Sequence, residues 1–84
     1  MKQILVLGAG QSSPYLISYF LRNAEENDWF VTVGDIDSDL AHKRVGDHPR
    51  GNVIKFDVND ETLRHTHIQK ADIVINMLAH ILHS

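Results

Sequence analysis

Residues 4–7, Ile-Leu-Val-Leu, form an unbroken apolar run that ends directly on Gly8-Ala9-Gly10. A strand with one wet face alternates apolar and polar residues, whereas an unbroken run needs cover on both faces. Helices packed on either side of a parallel sheet supply such cover. The run therefore predicts further strands of the same kind. Three follow, at Trp29–Val33 closing on Gly34-Asp35, at Val53–Phe56 ending at Asp57, and at Ile73–Ile75.

Helical segments are expected between these strands. Ile17, Phe20, Leu21 and Ala24 recur at i, i+3, i+4 and i+7, which makes one apolar stripe. Ser13-Pro14 reads as an N-cap and first helical residue, because proline has no N–H to leave unpaired there. Asn27-Asp28 closes that segment. Ser38 is expected to cap a short helix through Leu40, Ala41 and Val45, and "GDHPRGN" reads as a loop. Asn59 is expected to cap a helix holding Leu63 and Ile68, which Ala71-Asp72 ends.

Strand, helix, strand, helix, strand, helix, strand is the order that gives a parallel sheet with right-handed crossovers. The expected class is α/β, a Rossmann-type parallel sheet with helices on both faces, strand order 3-2-1-4, and all C-terminal strand ends on one edge. A two-halved nucleotide fold has more strands than four. Residues 1–84 are therefore expected to be the N-terminal part of an NAD(P)-binding domain, a truncated first half without a substrate domain. The free edge of the fourth strand would need a partner or further chain, which leaves a homo-oligomer open.

Composition narrows the partners. An apolar fraction of 43% is enough for a core and argues against disorder. The net charge of −3, with no basic run, disfavours nucleic acid or an anionic membrane. Without cysteine there is no disulfide, thiolate nucleophile or sulfur-based zinc site. The apolar runs are too short to cross a bilayer, and Met1-Lys2-Gln3 leads straight into a strand, so no signal peptide and a cytoplasmic location are expected.

The glycine loop carries the chemistry. Gly8 lets the chain turn sharply out of the first strand, and Gly10 has no Cβ to keep a pyrophosphate from the backbone. The helix that follows would point bare N–H groups and a positive dipole end at that anion. Ser13 stands where the dinucleotide fingerprint has its third glycine; it is small, and it can also cap the helix or donate to a phosphate. Alone, G-x-G-x-x-S is a weak signal that a structural turn would also give. Its place between a strand and a helix strengthens it.

Asp35 ends the second strand 22 residues after Ser13, where the fingerprint expects an acid that accepts from the adenosine ribose hydroxyls. A carboxylate there repels a 2′-phosphate, so NAD is favoured and NADP stays open. Asp37 is the less favoured candidate for the same duty, its bland reading being a solvated loop acid. Asp57 closes the third strand at the same edge, where it reaches the adenine beside Val58 or merely starts the next turn. Asn76, Met77 and Leu78 follow the fourth strand toward the nicotinamide side; Met77 and Leu78 can equally be core.

Six histidines are present, at 42, 48, 65, 67, 80 and 83. His65 and His67, two apart on a helix, face different sides and cannot chelate together. His80 and His83 would share a face if that segment is helical, but no cysteine or carboxylate lies nearby, so no metal site is expected.

The segments "ILVLGAGQSSPYLISYFL", "VTVGDID", "FDVNDE" and "ADIVINML", in that order, resemble the nucleotide-binding segment of saccharopine dehydrogenase-like oxidoreductases. The resemblance runs from Lys2 to His83. The chain has Ala79 where a proline would be expected after Met77-Leu78. The resemblance implies hydride transfer between a nicotinamide cofactor and a carbon–nitrogen bond of a saccharopine-type substrate in lysine metabolism. It implies cofactor contacts at Gly8, Gly10, Ser12, Ser13, Asp35, Asp57 and Met77. Catalytic residues and the site for the small amino-acid-type substrate would lie in a later domain, so none is assigned here and no activity is expected of these residues alone. Three rival readings remain: a non-catalytic module that senses NAD, a fragment of an S-adenosylmethionine-binding methyltransferase, and a structural α/β domain that binds nothing. The methyltransferase class commonly carries an acid just before its loop, where this chain has Val6 and Leu7.

Overall fold

In the computed structural model, which describes residues 1–8, 14–57 and 59–77, eight elements follow one another. They are β1 (Lys2–Leu7), α1 (Pro14–Arg22), α2 (Ala24–Asn27), β2 (Trp29–Asp35), α3 (Ser38–Val45), β3 (Gly51–Lys55), α4 (Glu61–Lys70) and β4 (Ile73–Asn76). The sheet order is β3-β2-β1-β4, with all three pairings parallel. This is the order expected from the sequence.

In-register residues of neighbouring strands share a face. Ile4 and Val6 of β1 lie beside Val31 and Val33 of β2. That face packs on Ile17, Leu21 and Ala24 of α1–α2 and on Ala41 and Val45 of α3, all buried. Each buried valine, leucine or isoleucine among them is worth about 1.5–3 kcal/mol over its exposed state, the alanines less. The opposite face is thinner. Leu5, Leu7 and Phe56 are buried there, with Ile54, Leu63, Ala71 and Val74 packed against them. No residue of α4 is itself buried.

Gly51 explains how α3 lies so close to β3. A Cβ at this position would sit 2.5 Å from Val45 Cγ1 and 3.0 Å from Leu21 Cδ2, a space only glycine fits. β3 begins at Gly51 rather than at Val53, because Gly51 and Asn52 already pair with Val31 and Thr32 of β2, and it ends at Lys55. Phe56 continues the ladder beyond it, its N–H donating to the Asp35 carbonyl at 2.9 Å.

The first helical segment is not continuous to Asn27 as its stripe suggests. It breaks at Asn23, which has φ −98° and ψ 1°. The Asn23 side-chain amide donates to the Tyr19 carbonyl at 2.8 Å, and Asn27 does the same to the Asn23 carbonyl. Asparagine here competes with the backbone for the carbonyl four residues back, which loosens the helix. Asp28 then ends α2 in the left-handed conformation, at φ 56°, a position that aspartate tolerates better than most residues.

Two helix caps fall one residue away from expectation. Asp37, not Ser38, caps α3, its Oδ1 accepting from the Leu40 N–H at 3.2 Å. Asp60, not Asn59, caps α4, its Oδ1 accepting from the Leu63 N–H at 3.0 Å. In both cases the residue taken is a full negative charge at the positive end of a helix.

Candidate functional site at the sheet edge

All four strands end on one edge, and hydrogen bonds beyond the strands hold those ends level. The Gly8 N–H donates to the Gly34 carbonyl at 2.8 Å, and the Met77 N–H donates to the Leu7 carbonyl at 3.0 Å. With the Phe56 bond to Asp35, these place Gly8, Asp35, Asp57 and Met77 along a single rim, one at the end of each strand.

Gly8 leaves β1 at φ 94°, a conformation closed to most L-residues. The turn is therefore built into the backbone and needs glycine. Gly10, Ser12 and Ser13 lie outside the described residues, so their expected contacts are neither placed nor displaced. α1 begins at Pro14, as the Ser13-Pro14 pair suggests, in the position where proline costs no hydrogen bond.

Asp35 is the last residue of β2 and is half-buried. Its Oδ1 accepts from the Asp37 N–H at 2.8 Å, which fixes the carboxylate relative to the backbone that follows. Asp37 uses its own carboxylate as the α3 cap, so its side chain is committed to the helix. Ile36 stands between them, 63% exposed at the rim.

Asp57 is also half-buried, and its side chain is engaged locally. Oδ1 accepts from the Asn59 N–H at 2.9 Å, and its carbonyl accepts from the Asp60 N–H at 3.0 Å. This is the turn-starting arrangement. Val58 lies outside the described residues. Met77 is half-buried immediately after β4, while Leu78 and the segment from Ala79 to His83 are not described. His65 is exposed, and the half-buried His67 meets the ring of Phe56 edge-on at 6.2 Å between centroids. Among the described residues, no three metal-ligating side chains gather.

Gly34 belongs to the rim although sequence reasoning reads it only as a strand end. A Cβ there would lie 2.9 Å from Phe56 Cβ and 3.1 Å from Leu7 Cδ2. Its smallness lets Phe56 close beneath the rim. The available signal is a glycine inside a strand, which marks close approach.

Among solved structures the chain matches the apo histidine-tagged saccharopine dehydrogenase (L-Glu forming) from Saccharomyces cerevisiae, at 25% identity and a TM-score of 0.81. This chain is similar to a saccharopine dehydrogenase. The match covers 99% of this chain and 18% of the yeast saccharopine dehydrogenase chain. The likeness to saccharopine dehydrogenase thus takes in all four strands and the rim, and spans under a fifth of that enzyme's length. No protein-family model and no curated protein matches the sequence. No helix among the described residues is long and apolar enough to cross a membrane.

Proposed function

We propose that this chain is the dinucleotide-binding part of a saccharopine dehydrogenase-like oxidoreductase and that its ligand is NAD. The observation that carries this reading is the left-handed turn at Gly8, set one strand away from the carboxylate of Asp35. The turn would bring backbone N–H groups and the start of α1 beside a pyrophosphate, and the carboxylate would accept from the adenosine ribose hydroxyls. Gly10, Ser12 and Ser13 complete the phosphate loop in this reading. Asp57 would meet the adenine side through its backbone, since its side chain is held in its own turn. Met77 would line the path toward the nicotinamide.

The cofactor, when bound, supplies hydride transfer to or from a carbon–nitrogen bond. What these residues contribute is grip and orientation. The amino-acid-type substrate and the groups that move protons belong to chain beyond the 18% of the yeast enzyme that this segment matches. Lysine metabolism, with a saccharopine-type substrate, is the setting the likeness supports.

Amide NMR shifts provide the test. Trp29 opens β2 at the opposite end of the sheet from the rim, so its fluorescence is a poor reporter. Titration with NAD is expected to move the amides of Gly8, Asp35 and Met77 saturably, with NADP weaker. S-adenosylmethionine moving those amides while NAD does not would replace this reading with the methyltransferase one. Silence from all three at millimolar concentration would leave only the structural α/β domain. Reductive amination by the full-length gene product separates an enzyme from an NAD-sensing module.

A further inference from the structure

A second cleft opens on the thin face of the sheet, well below the rim. It measures about 100 Å³ and lies between α4 and the N-terminal halves of β1 and β2. Its apolar wall includes Leu5 and Ala71; its polar lining is Gln3, Thr32, His67 and Lys70. Leu5 and Thr32 are in-register neighbours, so Thr32 stands beside a buried leucine on the sheet floor. His67 and Lys70 are three apart on α4, the spacing that brings side chains to one helix face. The His67 imidazole meets the ring of the fully buried Phe56 edge-on.

Two features give the cleft a chemical character. First, each of the four polar side chains can donate a hydrogen bond, and no acid lines the space. Asp72, next in sequence to Ala71, is turned to the Gln3 backbone N–H, which donates to its Oδ2 at 2.8 Å. Second, the side chains of Gln3, Thr32, His67 and Lys70 are not engaged in hydrogen bonds or ion pairs with one another or with other described residues. The cleft of about 100 Å³ is thus lined by a lysine charge and three further side chains whose hydrogen-bonding capacity is left to water, with no acid among them.

We propose that this cleft is a binding site for a small carboxylate, held by Lys70 and His67 at the mouth and Thr32 on the floor. Lys70 supplies charge, Thr32 and Gln3 supply directed donors, and Leu5 and Ala71 receive a short apolar tail. The site is independent of the dinucleotide reading and lies away from Gly8 and Asp35.

The 84-residue chain, labelled with ¹⁵N, is titrated with acetate, inorganic phosphate and chloride at constant ionic strength and pH. Acetate is expected to shift the Thr32, His67 and Lys70 amides and the Gln3 side-chain amide along one saturating curve, with chloride producing no saturation. Lys70→Met and Thr32→Val are expected to raise half-saturation by at least about fivefold and threefold, the range of one lost hydrogen bond or charge contact. Lys43→Met, on α3, leaves it unchanged, and spectral dispersion checks that each variant is folded. Linear shifts spread over the surface, saturation by phosphate but not acetate, or curves indifferent to both cleft substitutions would overturn the proposal.

Discussion

The backbone N–H of Asp37 donates to Oδ1 of Asp35 at 2.8 Å, and Asp37 in turn accepts from the N–H of Leu40. A carboxylate at the end of β2 is thereby tied through one residue to the first turn of α3. The orientation of Asp35 is set before any ligand arrives, which lowers the ordering cost of binding.

Replacing Asp35 by Asn or Ala is expected to weaken NAD binding by roughly tenfold or more, the range of about 1.5–3 kcal/mol for a hydrogen bond to a charged group. NADP is expected to be less affected or improved, since a repulsive charge is gone. Paired titrations of both nucleotides check this. An unchanged NAD to NADP ratio would show that Asp35 is not the ribose acceptor.

The two caps predict an asymmetry between neighbouring residues. Asp37→Ala and Asp60→Ala are each expected to cost about 1 kcal/mol of unfolding free energy. Ser38→Ala and Asn59→Ala are expected to stay within about 0.5 kcal/mol, like other surface changes. Urea denaturation at neutral pH distinguishes the pairs.

Two glycines are irreplaceable for different reasons. Gly8→Ala would force an L-residue to φ 94° and is expected to cost about 1–3 kcal/mol while distorting the rim. Gly51→Ala meets Val45 and Leu21 side chains instead, so its cost of about 1–3 kcal/mol is that of overpacking. Val45→Ala in the Gly51→Ala background should recover part of the second loss and none of the first.

Asp28 predicts a pH effect. The Arg50 guanidinium, at 3.0 Å, and then the α-amino group hold its carboxyl below the usual value of 3.8. A carboxyl with a lowered native pKa adds stability that is fully present above its unfolded value and is lost as pH falls through the native one. The difference in Tm between the protein and Asp28→Asn is therefore expected to be present at pH 7, to shrink as pH falls below 3.8 and to vanish only below the lowered native value. Because the Asp28 side chain is exposed, added salt should shrink that difference.

The strand order was legible because four short apolar runs, separated by helical stripes, admit few other connections. The caps lie one residue from where the pattern puts them because serine and asparagine are good caps in general, while here an adjacent aspartate offers a stronger acceptor. The break at Asn23 is hidden in the sequence because the apolar stripe passes through it; the backbone angles of Asn23 and its side-chain bond to Tyr19 reveal it. At the rim, Gly8 and Asp35 were readable from their spacing. The support from Gly34 and from the Asp37 N–H depends on packing and turn geometry that pattern alone does not contain.

The unequal cover of the sheet has a consequence for how the molecule opens. One face is sealed by residues from three helices; the other leans on α4, which keeps no side chain fully out of water. Transient excursions should therefore lift α4 first, with β4 at the border, while β1 and β2 stay closed. Amide protons on that side would exchange orders of magnitude sooner, giving one small chain two separate clocks.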